Sequence, residues 1–211
     1  MVRLTWGSSS VRYYETGIDR GVLYPPNGIG VPWNGLVSIS ETPTGGSARP
    51  FYHDGIKYLQ IAAKEEFEAT ITAFGCPEEF LECDGILSIH NGLYATQQTR
   101  RAFGLSYRTF IGSEFNPNLG YKIHLIYGAL ATPSAATHAT LDKSVKTETF
   151  NWKIATVPPS VTGVKRTAHY IIDTRYTDSG VLSDLEDILY GTEGDSAEMP
   201  SPNELIALFD I

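Results

Sequence analysis

Histidines, cysteines and paired carboxylates are the residues of this chain able to do chemistry, and their spacing limits what that chemistry is. The five histidines, His53, His90, His124, His138 and His169, are scattered, with no paired spacing that brings two metal ligands together locally. A metal site would need residues distant in sequence to converge. Cys76 and Cys83 have six residues between them, the wrong spacing and number for a zinc site built from close pairs, so they read as buried or half-buried free thiols. His53–Asp54 sets a base beside an orienting carboxylate, but adjacent side chains do not readily meet, and the pair sits in a Gly-rich stretch. No G-x-S-x-G nucleophile elbow occurs, and Ser106 in FGLSYR falls on a strand face. Gly28-Ile29-Gly30 lacks the third glycine, the following helix and the lysine of a phosphate loop. Glu65–Glu66 and Glu78–Glu79 read as solvated turns or helix starts, and Arg100–Arg101 as a salt-bridged strand start. The expectation is a non-enzyme with no catalytic residue, cofactor or metal.

The elements that would have to position any site are strands. In EEFEATITAF, Phe67, Ala69, Ile71 and Ala73 share one face, and Glu68, Thr70 and Thr72 the other. YKIHLIYGAL groups Tyr121, Ile123, Leu125 and Tyr127 opposite Lys122 and His124, and TFNWKIAT turns Phe150, Trp152 and Ile154 inward. Further strands are expected at Gly35–Glu41, Ile56–Ala62, Ala102–Phe110 and His169–Arg175. Seven or more strands with one polar face each predict a mainly β (α+β) fold, an antiparallel β-sandwich or small barrel. Helices are few. PEEFLEC, Pro77–Cys83, predicts a short flanking helix; SDLEDILYG predicts another, with Ser183 as cap, Glu186 completing a capping box and Gly191 as stop. SPNELIALF repeats the device with Ser201, Pro202 and Glu204. Two long connections, Val22–Gly35 and Glu41–Gly55, carry Trp33, Phe51 and Tyr52, more apolar surface than a solvated loop needs.

Composition sets the outer bounds. Of 211 residues, 42% are hydrophobic and 19% charged, which suits a folded chain and excludes wholesale disorder. No run approaches about 18 apolar residues, so no membrane-spanning helix is expected. The start, MVRLTWGSSSVRYY, lacks the apolar core of a signal peptide, so folding in a reducing cytoplasm is expected. Charge is uneven: residues 178–211 hold nine acids and no Lys or Arg. That leaves 15 acids against 16 bases in residues 1–177, a net of +1 for the body. A near-neutral body with an acidic end argues against a nucleic-acid reader, whose binding face is basic. The division expected is a β-sandwich domain over 1–177 and an acidic helical arm over 178–211, whose deletion should impair folding of the β body less than it impairs assembly.

Several strings carry more than periodicity. RYYETGIDRGVLYP, VPWNGLVSISETP, QQTRRAFGLSYRT, YKIHLIYGALATPS, DLEDILYGTEG and PSPNELIALF resemble, in the same order, the major tail (tail tube) proteins of long-tailed bacteriophages of Gram-positive hosts. The resemblance runs from about Arg12 to Phe209. It implies a tail tube fold: a sandwich or small barrel flanked by a helix, six copies closing a ring, and rings stacking into a conduit for double-stranded DNA. It also implies a structural protein of the virion tail, assembled in the host cytoplasm. Its partners would be itself and the tape measure, distal tail and tail terminator proteins, with DNA passing unbound and no membrane contact. Members of that family join rings through long loops and terminal arms, and have no catalytic residues to carry over. By position, Val22–Gly35, Glu41–Gly55 and residues 178–211 take that part. The inter-subunit contacts expected are Trp33, Phe51, Tyr52, Leu185, Leu189, Leu205 and Phe209. The competing reading is a β-sandwich binding or decoration module on a virion surface, using the loop aromatics Trp33, Tyr52 and Tyr94 on a carbohydrate or receptor.

Overall fold

Two-residue alternation becomes strand in segment after segment of the chain, of which the computed structural model describes residues 12–138, 140 and 147–210. The first half runs β1 (Tyr13–Tyr24), β2 (Val31–Pro32), β3 (Leu36–Glu41), β4 (Thr44–Gly45), β5 (Ala48–His53), β6 (Ile56–Ala62), β7 (Glu65–Glu66) and β8 (Glu68–Ala73). Then follow α1 (Phe80–Cys83), β9 (Leu87–His90), β10 (Leu93–Ala95), β11 (Phe103–Ser113) and β12 (Gly120–Ala131). The chain ends with β13 (Phe150–Thr156), β14 (His169–Asp173), α2 (Ser179–Tyr190) and α3 (Pro202–Phe209). Strand accounts for 44% and helix for 12% of the described residues, so the fold is mainly antiparallel β of the sandwich type, the class expected.

The main sheet has the order β2-β1-β11-β12-β13-β8-β3, with β14 also paired to β12. On one edge β12 pairs throughout with β11. On the other edge its first half, Lys122–Ile126, pairs with β14, and its last residues, Ala129–Ala131, pair with β13. The change of partner falls at Gly128, whose φ of +58° favours glycine. A Cβ there would run into the Val157 carbonyl. An extra residue in β12 at this point, seen as a register shift against Phe103 and Leu105, is a β-bulge that bends the strand.

The bend makes two cores out of one strand. Leu23, Leu105, Tyr107, Ile126 and Ala129 meet Ala69, Ile71, Trp152 and Ile154 of β8 and β13 inside the sandwich. On the opposite face Val22, Tyr24, Ile123, Leu125 and Tyr127 meet Leu185, Leu189 and Leu205 of the C-terminal helices. Polar groups tie this second layer down. Tyr24 donates its hydroxyl to the Leu189 carbonyl at 2.8 Å, and Tyr127 donates to Pro200 at 2.9 Å. Arg108, buried on the helix side of β11, donates to both Asp19 carboxylate oxygens at 2.9 and 2.7 Å. Its other terminal nitrogen lies 3.6 Å from Glu186 of α2, and its guanidinium sits over the Tyr121 ring.

Several expectations change against this frame. Residues 178–210 are not a detachable arm: α2 and α3 are the outer layer of a core, because their apolar stripes have a whole sheet face to cover. Helix α2 begins at Ser179 and is capped by Asp178, which accepts from Gly180 N–H, so Ser183 lies inside it. Gly191 ends α2 as expected, and Ser201 with Glu204 forms the expected capping box of α3. The Val22–Gly35 connection shrinks: Val22–Tyr24 finish β1, and Val31–Pro32 pair back onto it. Glu41–Gly55 is no loop, since Ala48–His53 is strand paired to Ile56–Ala62.

Leu189→Ala tests the layer reading. Loss of a fully buried leucine should cost about 2–5 kcal/mol in chemical denaturation, and truncation at residue 177 should unfold the sheet. A cost under about 0.5 kcal/mol, the range of neutral surface changes, would return the helices to the status of an arm.

Candidate functional site

Between the end of β3 and the start of β8 the chain leaves the sandwich as a hairpin. Thr44 pairs with Glu66 near the root, Ala48 with Ala62 and His53 with Ile56 at the tip. Asp54 and Gly55 turn the chain with φ of +51° and +74°, the left-handed pair of a type I′ turn, which Asp-Gly adopts at low cost. Cross-strand partners share a face, so Arg49–Ile61, Phe51–Leu59 and His53–Ile56 lie together. Tyr58 is the extra residue at a bulge, with its ring 6.3 Å from that of His53.

This face is apolar and uncovered. Phe51 is 50% exposed, Leu59 39%, Ile61 57%, Ile56 73% and Tyr58 74%. Every residue from Arg49 to Glu66 is exposed, so none of the described residues packs over the hairpin. An isolated two-stranded hairpin is marginal in water, and an apolar face of this size is what a protein ordinarily hides. A second apolar patch lies at the free side of the sheet. Ile171, Tyr176 and Phe209 are exposed around a groove of roughly 420 Å³ beside β14, which among the described residues pairs only with β12.

The seven residues expected at subunit contacts therefore divide. Phe51 and Tyr52 stand on the hairpin, on opposite faces, and Phe209 lines the groove beside β14. Trp33 is buried, packed on Phe80 and Trp152 with its indole N–H donated to the Gly75 carbonyl at 2.9 Å. Leu185, Leu189 and Leu205 are spent inside the chain's own second core. These four are corrections: a large apolar residue near a loop or on an amphipathic helix is claimed first by its own chain. What sequence reasoning missed is Ile56–Ile61, read as a half-buried strand. The signal was there, because Asp54-Gly55 between two apolar runs marks a hairpin turn.

The residues screened for chemistry mostly find structural employment. His53 and Asp54 do meet, 3.4 Å apart, but at the exposed hairpin tip. Ser106 is buried against the Tyr24 hydroxyl at 3.2 Å. Arg100 and Arg101 reach Asp84 and Glu82 at 3.8 and 3.7 Å, across to α1. Cys83 is buried and Cys76 half-buried, both thiols are free, and burial raises both pKa values. A groove of roughly 530 Å³ lies between β1, β12 and the start of α3. Its two tyrosine hydroxyls donate to backbone carbonyls, and Glu204 caps its own helix.

One polar cluster was not foreseen. His124 on β12 and His169 on β14 come together diagonally across a strand pair, with Ile126 opposite His169. His124 Nδ1 lies 3.1 Å from His169 Nε2 and 3.5 Å from Glu41 Oε1, at the end of β3. Thr109 Oγ1 holds His124 Nε2 at 3.1 Å, and Tyr107 donates its hydroxyl to Glu41 at 2.7 Å. Rings confine the imidazoles: Tyr107 stacks on His124 and Phe67 packs tilted against His169, both with centroids 4.6 Å apart. Burial, then the neighbouring His169, lowers the pKa of His124 from 6.5 to about 4, so it is neutral at pH 7. No family model and no curated protein matches the sequence.

The hairpin's exposure makes a direct prediction. Replacing Ile56 by serine should shift the unfolding free energy by no more than about 0.5 kcal/mol, since its side chain is 73% exposed. A loss of several kcal/mol in denaturant titration would mean that the face is covered within the monomer.

Proposed function

We propose that this chain is a structural, non-enzymatic subunit that assembles with copies of itself into stacked hexameric rings, forming the tail tube of a long-tailed bacteriophage. The observation that carries the reading is the hairpin. A side chain such as Ile56 or Leu59 gains on the order of 1.5–3 kcal/mol when it passes from water into an apolar contact. Four of them on one face, Phe51, Ile56, Leu59 and Ile61, supply a strong reason to find a partner. The sequence resemblance supplies the identity of that partner, another copy in a ring.

Ring closure by head-to-tail contact uses two different surfaces on each subunit. The hairpin face and the Ile171–Tyr176–Phe209 patch are two such surfaces, and the open edge of β14 invites strand addition across a neighbour. The charge pattern fits a conduit. A body of net +1 carries no strong basic field, so DNA passes through instead of sticking to the wall. In this reading the protein resides in the virion tail after assembly in the host cytoplasm. Its neighbours at the tube ends and inside the lumen are the tail terminator, distal tail and tape measure proteins.

Electron microscopy of concentrated purified protein tests the proposal. Hollow tubes or six-fold rings of uniform diameter are expected, and Ile56→Asp combined with Leu59→Asp should abolish them while the β-rich circular dichroism spectrum persists. A chain that stays monomeric at every concentration, or a double variant that still polymerises, would contradict it. Saturable glycan binding without tubes would favour the surface binding module instead.

A further inference from the structure

We propose that Glu41, His124 and His169 form a binding site for a divalent transition ion of the zinc class, pinning the root of the hairpin to the sheet. This rests on the contacts within one chain and not on the tail tube reading.

The donor atoms already converge. One ligand atom from each of the three residues falls within 4.8 Å of the other two. Donors about 2.0–2.1 Å from a tetrahedral ion stand about 3.3 Å apart. His124 Nδ1 lies 3.1 Å from His169 Nε2 and 3.5 Å from Glu41 Oε1, on either side of that spacing, while His169 meets Glu41 through its other nitrogen, with Nδ1 3.8 Å from Oε2. Two imidazole nitrogens and one carboxylate oxygen suit zinc and its neighbours in the transition series, and do not suit calcium or magnesium, which take oxygen.

Neighbouring groups hold these donors in place, with the two imidazole rings within 17° of parallel. Thr109 Oγ1 occupies His124 Nε2 and so leaves Nδ1 facing the other donors. Tyr107 donates to the Glu41 carboxylate and fixes its direction. Tyr107 and Phe67 hold the two rings from their outer faces. The side chains of His124 and His169 are 7% and 10% exposed and that of Glu41 35%, so the cluster meets solvent mainly at Glu41.

Position gives the site a consequence. Glu41 ends β3 immediately before the hairpin, and Phe67 stands immediately after it, with Thr42 N–H donated to the Glu68 carbonyl at 2.8 Å across the root. A bound ion would join the end of β3 to β12 and β14, and so fix the direction in which the hairpin leaves the sandwich.

The test uses the full chain, free of any histidine tag and stripped with a chelator. Titration with Zn2+ by calorimetry should give one ion per chain, and Co2+ should give the intense visible absorption of a tetrahedral nitrogen and oxygen donor set. Glu41→Gln and His169→Gln should each weaken affinity at least about tenfold, whereas His53→Gln at the hairpin tip should leave it unchanged. Zinc should also slow proteolysis between residues 41 and 68. No saturable binding at one ion per chain, a weak octahedral Co2+ spectrum, or unchanged affinity in both ligand variants would each overturn the proposal. The Co2+ spectrum reads the unmutated chain, so a variant that misfolds does not decide the matter.

Discussion

Strand β12 is buried on both faces and paired on both edges, and everything else is arranged around that constraint. Its alternate residues face different cores: Ile123, Leu125 and Tyr127 look to the helices, while Ile126, Ala129 and Ala131 look into the sandwich. The bulge at Gly128 lets one strand serve two partners in succession, β14 and then β13, which splits the sheet into layers. A strand so enclosed has no room for polar side chains except those with partners of their own. His124 meets that condition through Thr109, His169 and Glu41, and Arg108 on the adjoining strand meets it through Asp19 and Glu186.

Because the two cores consume so much apolar surface, what remains outside stands out. Trp33 and the leucines of α2 and α3 are taken up by the chain itself. The hairpin is not: it leaves the sandwich at Glu41, returns at Phe67 and presents Phe51, Ile56, Leu59 and Ile61 to solvent. The same root carries the histidine cluster. The exposed hairpin therefore leaves the sandwich beside a buried polar cluster of the main sheet.

Much of the β framework was legible because alternation is a local property. Ala69, Ile71 and Ala73, or Trp152 and Ile154, declare their inward face without knowledge of which strand lies next to them, and all five are buried. The capping box of Ser201 and Glu204 was readable for the same reason. What failed was what depends on partners. Periodicity marks Leu185 and Leu189 as one stripe but cannot say whether a sheet of the same chain or another chain covers it. Alternation sets His124 on a polar face with Lys122, opposite Ile123 and Leu125, although the strand is buried on that side as well. The meeting of His124, His169 and Glu41 follows from the β12–β14 register and the end point of β3, neither of which is encoded locally.

Hydrogen exchange measured across a range of protein concentrations addresses the central claim, that the uncovered hairpin face exists to meet another copy of this chain. The account predicts that amides in β5 and β6 exchange quickly in dilute solution and become strongly protected as concentration rises, while those of β12 are protected throughout. Hairpin exchange that stays the same from dilute to concentrated solution, even as higher oligomers form, would contradict it.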